Sequence, residues 1–202
     1  PRSTQSRPSA ASDVYKRQIQ SSAYHQLNEA IKANNAKAGS IVVIEPKSGD
    51  ILGLVNYPSF DPSNRKNLVD MSRLRNRATI DIFEPGSVLK PLAMSAILES
   101  DYLPKISKID TSPGWIEYEG YKTSDFRDYG ELSLSQIISL SSNVGMVKLC
   151  QYQDIEHLTN YYKKFGIGRY PTSIMLPARE GFLPHSSQFT LRDKVSSCYG
   201  YG

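Results

Sequence analysis

Two cysteines in 202 residues are too few to staple a small domain, and a chain of this length can bury a core without them. Long apolar runs are missing too. Nowhere do roughly 18 apolar residues follow one another, the length a helix needs to cross a bilayer. The opening residues are polar and carry no apolar core of a signal peptide. Histidine is scarce: His25, His157 and His185 lie far apart with no carboxylate or cysteine at ligand spacing, so no metal and no cofactor site is expected. An excess of one charge is missing from the body of the chain. The net charge is +4, of which Arg2, Arg7, Lys16 and Arg17 against Asp13 place +3 in residues 1–18. A nucleic-acid partner needs basic residues gathered on a folded face, so no nucleic-acid binding is expected.

Residues 1–18 are rich in Ser, Pro and Arg and have no hydrophobic period, which predicts a disordered leader. The run Ser12–Gln18 is similar to translated cloning-adaptor sequence, so this leader is expected to be non-native; a native linker is the alternative. From Ile19 onward the sequence predicts a folded α+β domain over 19–202. Tyr24, Leu27 and Ile31 repeat at helical spacing up to Ala36, and Gly39 ends the segment. Ile41–Ile44 and Ile51–Val55, separated by Pro46-Lys47-Ser48-Gly49-Asp50, read as a β-hairpin. A helix is expected from Ser87 to Ser100, two short ones over Leu132–Leu140 and Val144–Tyr152, and another from Ile155 to Phe165. The end of the chain, with Gly166, Gly168, Pro171, Pro177, Gly181 and Pro184, reads as loop. One hairpin is a small sheet in need of further strands.

Ser87-Val88-Leu89-Lys90 is the first candidate for chemistry. Serine and lysine three apart lie on one side of a helical turn, and a desolvated lysine can take the proton that makes a serine nucleophilic. A second such spacing, Ser63-Asn64-Arg65-Lys66, sits in a polar passage with nothing to bury its lysine and reads as coincidence. Around Ser87 the context differs. Pro85-Gly86 breaks the chain just before it, and the following segment is apolar nearly all round, as buried helices are. Pro91 lacks an N–H and belongs in a first turn, which places Ser87 at the helix start, where an N-capping role competes with a nucleophilic one. Ser141-Ser142-Asn143 is the second candidate: a hydroxyl and a carboxamide between two helices can relay a proton and hold an amide, or can cap the next helix. Cys150 reads as a packed core thiol, and its pairing with Cys198 is left open by the sequence. Glu117, Glu119, Asp125 and Asp128 read as a solvated loop face.

Together, Ser87-Val88-Leu89-Lys90 and Ser141-Ser142-Asn143 resemble the first two active-site motifs of the penicillin-binding proteins and serine β-lactamases. Gly39–Val43 with Pro46–Leu52 is similar to the family's opening hairpin, and Tyr57-Pro58-Ser59-Phe60-Asp61-Pro62 to the loop after it. Arg75-Asn76-Arg77-Ala78 leading to Phe83-Glu84-Pro85-Gly86-Ser87 resembles the division-specific (FtsI-like) class B members. Ser141-Ser142-Asn143-Val144-Gly145, Phe165-Gly166-Ile167-Gly168 and Tyr199-Gly200-Tyr201-Gly202 continue in family order. The resemblance covers 19–202 and implies a transpeptidase fold and a peptidoglycan D,D-transpeptidase. By matching position it makes Ser87 the nucleophile, Lys90 its base, Ser141 the proton shuttle and Asn143 a holder of the substrate amide. It implies stem peptides and β-lactams as ligands, divisome membrane proteins as partners, and an anchored protein of the inner membrane facing the periplasm.

The family's third motif, Lys-Thr/Ser-Gly, does not follow Ser141 in this sequence. Lys122-Thr123-Ser124 lacks the glycine and lies upstream. Because that motif supplies part of the oxyanion hole, worth roughly 3–4 kcal/mol per donor, the 202 residues by themselves are expected to be poorly stable and close to inactive. Two rival readings share the motifs: a serine β-lactamase, and a penicillin-binding sensor or structural divisome component that turns nothing over.

Overall fold

The computed structural model describes residues 10–61, 70–100, 108–171 and 177–201, with side chains from Lys16 onward. Ser63–Lys66 therefore lies outside the described residues, as does Gly202. The chain divides into two compact units, one drawn from Pro1–Asp81 with Ser173–Arg179, the other from Ile82–Thr172 with Glu180–Gly202. This is a finer division than the single domain expected over 19–202.

In the first unit, helix α1 (Ala10–Ala33) lies on a hairpin of β1 (Gly39–Ile44) and β2 (Ile51–Tyr57). The helix begins inside the segment expected to be disordered, because Ala10, Ala11, Lys16, Arg17 and Gln18 are all good helix formers continuous with the packed turns. Its buried stripe is Ala23, Leu27 and Ile31, four residues apart, and these meet Val55 with Ile41 and Tyr57 beside them. Tyr24 falls outside that stripe and is 42% exposed. The strands run antiparallel, Ile41 opposite Val55 and Val42 opposite Leu54. At Gly53 a Cβ would stand 3.2 Å from Ile19 Cγ2, so glycine lets the helix approach the strand closely. Gln20 then reaches the backbone of Leu54, its Nε2 donating to the carbonyl (2.7 Å) and its Oε1 accepting the N–H (2.8 Å). Helix α2 (Arg77–Ile80) follows, and Asn56 ties its start to the hairpin: Oδ1 accepts from Ala78 N and from Ser40 Oγ, and Nδ2 donates to Asn76.

The second unit is mostly helical. A 3₁₀ turn, Gly86–Leu89, runs into α3 (Lys90–Glu99), which packs against α5 (Asn143–Cys150) and α6 (Ile155–Lys164). Their shared core includes Ala93, Ile97, Ile137, Met146, Leu149, Leu158 and Tyr162. Between α3 and α5 come two short ladders and α4 (Leu134–Ser139). Strand β3 (Ile109–Asp110) pairs with β6 (Glu131–Leu132), and β4 (Trp115–Tyr118) with β5 (Tyr121–Ser124). Leu132, expected to open a helix, thus belongs to a strand; the helix starts after Ser133, whose capping box with Gln136 sets the boundary. The closing stretch is not all loop. Thr190 and Asp193 form a second capping box that opens α7 (Leu191–Ser197), which packs on α5. Cys150 is fully buried, as a core residue should be, but it is not a thiol: its sulfur is bonded to that of Cys198.

Candidate active site

Gly86 takes a left-handed backbone (φ 61°), and its N–H donates to the carbonyl of Gly200 at 2.9 Å. A Cβ at Gly200 would fall 1.9 Å from the Gly86 carbonyl oxygen, so only glycine lets the Tyr199–Tyr201 segment run against this turn. The turn presents Ser87 to solvent, while Leu89 and Lys90 point inward. Pro91 occupies the first turn of α3, as its missing N–H demands. Ser87 does not cap that helix, and among the described residues its hydroxyl has no hydrogen-bond partner.

Lys90 is 2% exposed. Its Nζ donates to the Ser141 carbonyl (2.6 Å), to Ser141 Oγ (3.0 Å) and to Asn143 Oδ1 (2.7 Å). The orientation of the Asn143 carboxamide is fixed by its other end, where Nδ2 donates to the Ser124 carbonyl at 3.0 Å. Two of the three lysine partners can only accept, whereas a hydroxyl can accept or donate. A charged amine therefore satisfies all three, and a neutral one keeps two bonds and receives the Ser141 proton at its lone pair. Either protonation state leaves no buried group unpaired. Burial brings the amine down to about 8 from the usual lysine value, against the opposing pull of the Asp125 carboxylate, which raises it.

Ser141, Ser142 and Asn143 divide the work expected of a capping loop and of a site. Helix α4 ends with Ser141 N–H on Ile138 O and Ser142 N–H on Ile137 O, the paired closure that places its middle residue in the left-handed region, usually as glycine. Here that residue is Ser141, with φ 54°. Ser142, fully buried, caps α5 by accepting from Gly145 N at 2.9 Å. Gly145 is itself forced, since a Cβ there would meet Ile137 Cγ1 at 2.7 Å.

Lys90, Ser141 and Asn143 are thus brought into direct contact, with Ser87 one turn before Lys90. The serine–lysine hydrogen bond suggested by spacing is not formed; the amine donates to the second motif instead. Asp125 was absent from the sequence-derived site. The solvated loop face expected there does not hold for this residue, which is half-buried and accepts from Ser142 Oγ (2.6 Å) and from the backbone N–H groups of Asn143 and Val144. No sequence signal marks it, because its partners lie 17 to 19 residues away.

Residues 39–202 match the family model described as penicillin binding protein transpeptidase domain. The Buchnera aphidicola (subsp. Schizaphis graminum) peptidoglycan D,D-transpeptidase FtsI is 34% identical over 187 residues, covering 92% of this chain and 32% of its own length. FtsI of Escherichia coli K12 is 31% identical over 184 residues, covering 91% and 31%. The chain therefore spans about a third of the length of these curated relatives. The transpeptidase domain of Burkholderia pseudomallei penicillin-binding protein 3 superposes with a TM-score of 0.79 at 30% identity, over 92% of this chain and 51% of that one. With the two motifs meeting at Lys90 and the match running through both units, the chain belongs to the penicillin-binding protein transpeptidase family, on its class B, FtsI-like branch.

Proposed function

We propose that the full-length protein is a peptidoglycan D,D-transpeptidase that cross-links stem peptides at the division septum, working from the periplasmic face of the inner membrane with divisome membrane proteins. The observation that carries this reading is the buried Lys90 amine held by Ser141 and Asn143 one turn from an exposed serine. No Lys-Thr/Ser-Gly triplet follows Ser141 in these residues, so activity is assigned to the full-length protein.

Neutral Lys90 takes the Ser87 Oγ proton as that oxygen attacks the penultimate D-Ala carbonyl of a stem peptide. The tetrahedral centre collapses with loss of terminal D-Ala, whose amine receives a proton through Ser141 Oγ from the Lys90 ammonium. An amine of a neighbouring stem then attacks the acyl carbonyl, its proton passing through Ser141 Oγ to Lys90. The new amide forms and the Ser87 ester bond breaks as Lys90 returns a proton to Ser87 Oγ. Asn143 Nδ2 has a second hydrogen beyond the one given to Ser124, and this one holds the substrate amide carbonyl. A β-lactam acylates Ser87 by the first of these steps.

Fluorescent penicillin is expected to label the full-length protein at Ser87 in a single event per chain, and Ser87→Ala to abolish the label. Release of D-Ala from a pentapeptide substrate supports the reading. Repeated turnover of nitrocefin would instead make the protein a β-lactamase, and labelling without D-Ala release would make it a sensor.

A further inference from the structure

We infer that Asp125 is a positioning residue for this reaction: by binding three successive donors at the start of α5, it fixes Ser141 and Asn143 where Lys90 can use them. The inference deepens the proposed function and rests on it.

Helix α5 opens with backbone N–H groups that have no partner within the helix. Asp125 Oδ1 accepts two of them, from Asn143 and from Val144 (3.0 Å), and Ser142 Oγ accepts the third, from Gly145. Asp125 Oδ2 in turn accepts the Ser142 hydroxyl proton at 2.6 Å. The backbone N–H groups of Asn143, Val144 and Gly145 are thus referred, directly or through Ser142, to one half-buried carboxylate on the loop after β5. A serine in the left-handed region is strained and persists only where its surroundings impose it. Ser141 has α4 closing on one side, and on the other the segment that Asp125 grips. Its carbonyl, its hydroxyl and the neighbouring Asn143 Oδ1 are the three groups that hold Lys90. A shift at the start of α5 would displace Asn143 and the Ser141 groups beside it from Lys90 while leaving Ser87, on its own turn, in place.

The same carboxylate acts on Lys90 through its charge, raising the amine against the effect of burial. Asp125 is the one charged side chain whose field acts appreciably on Lys90 among the described residues. Of the ionisable groups on the helices packed here, Lys148 of α5 donates to the Asp110 carbonyl, His157 of α6 meets Ala96 O, and Glu99 of α3 and Glu156, Lys163 and Lys164 of α6 lie at the ends of their helices. A residue that merely held the fold together would leave the titration of Lys90 where it is.

The test is made in the full-length protein with fluorescent penicillin, separating the acylation rate constant from the dissociation constant of the prior complex. Asp125→Asn is expected to lower the rate constant at least tenfold while changing the dissociation constant less than threefold. It is also expected to move the alkaline rise of acylation to lower pH, since a charge that favoured the protonated amine is gone. An unchanged rate constant, or a loss of labelling in proportion to unfolded protein with the pH profile unmoved, overturns the inference. Should Asp125→Asn fail to fold, Ser142→Ala removes one of the three bonds: a rate constant two- to fivefold lower with binding unchanged supports the inference, and an unchanged rate constant overturns it. Direct NMR titration of Lys90 in both proteins is independent of turnover. A wild type that does not label at Ser87 sinks the transpeptidase reading, whereas a Lys90 midpoint that ignores Asp125 sinks this one.

Discussion

Lys90 can act as a base only in its uncharged form, which makes the pH dependence of acylation a direct reading of its burial. With the amine near 8, roughly a tenth of the molecules carry it neutral at pH 7 and about nine-tenths at pH 9, from the ordinary titration curve. The rate of Ser87 acylation by a penicillin under limiting probe should therefore rise about tenfold across that interval and level off above it. With an ordinary lysine, near 10.5, the rate would still be climbing steeply at pH 9. Stopped-flow or gel-based labelling of the full-length protein from pH 6 to 10, with probe stability controlled at each pH, measures the curve. Lys90→Arg, whose guanidinium cannot deprotonate, should remove the labelling at every pH. A flat profile, or a midpoint near 10, would refute the base assignment. The lowered value also has a consequence for stability, with a definite sign. Between about 8 and the unfolded value the unfolded chain binds the extra proton, so the buried lysine's penalty is fully present below 8 and fades as pH rises toward 10.5.

Two further outcomes follow from the packing around this site. Ser141→Gly keeps the left-handed backbone at no steric cost, so thermal unfolding should show stability held or raised by about 1 kcal/mol while labelling collapses; a clear loss of stability would contradict the strain assigned to Ser141. The Cys150–Cys198 bond closes a loop of 48 residues, for which chain entropy gives about 4 kcal/mol, and urea unfolding of Cys198→Ala against the oxidised parent should return a loss of that order. Equal midpoints would mean that the bond contributes little in solution.

The motifs Ser87–Lys90 and Ser141–Asn143 were legible because their chemistry depends on short spacings, and short spacings survive in any sequence. So were the hairpin and the helices with strong apolar patterns. What escaped depends on contacts that are distant along the chain. Asp125 looks like any other loop carboxylate until the β4–β5 ladder carries it to α5, and Cys150 looks like a packed thiol until α7 brings Cys198 beside it. Helix α7 itself was hidden by prolines and glycines upstream, although Thr190-x-x-Asp193 was a readable start signal. The left-handed Ser141 could not be foreseen at all, since propensity argues for glycine there and the hydroxyl overrides it.

The side chain of Gln20 gives the hairpin a direction of growth. By taking both the donor and the acceptor of Leu54, it imitates a neighbouring strand for one residue and so blocks the outer border of β2. Val42, directly across from Leu54, directs its own amide and carbonyl the opposite way, on the far border of β1. A strand added beside β2 would have to displace Gln20, whereas among the described residues no side chain plugs the border of β1 at Val42, so growth of this sheet is favoured alongside β1.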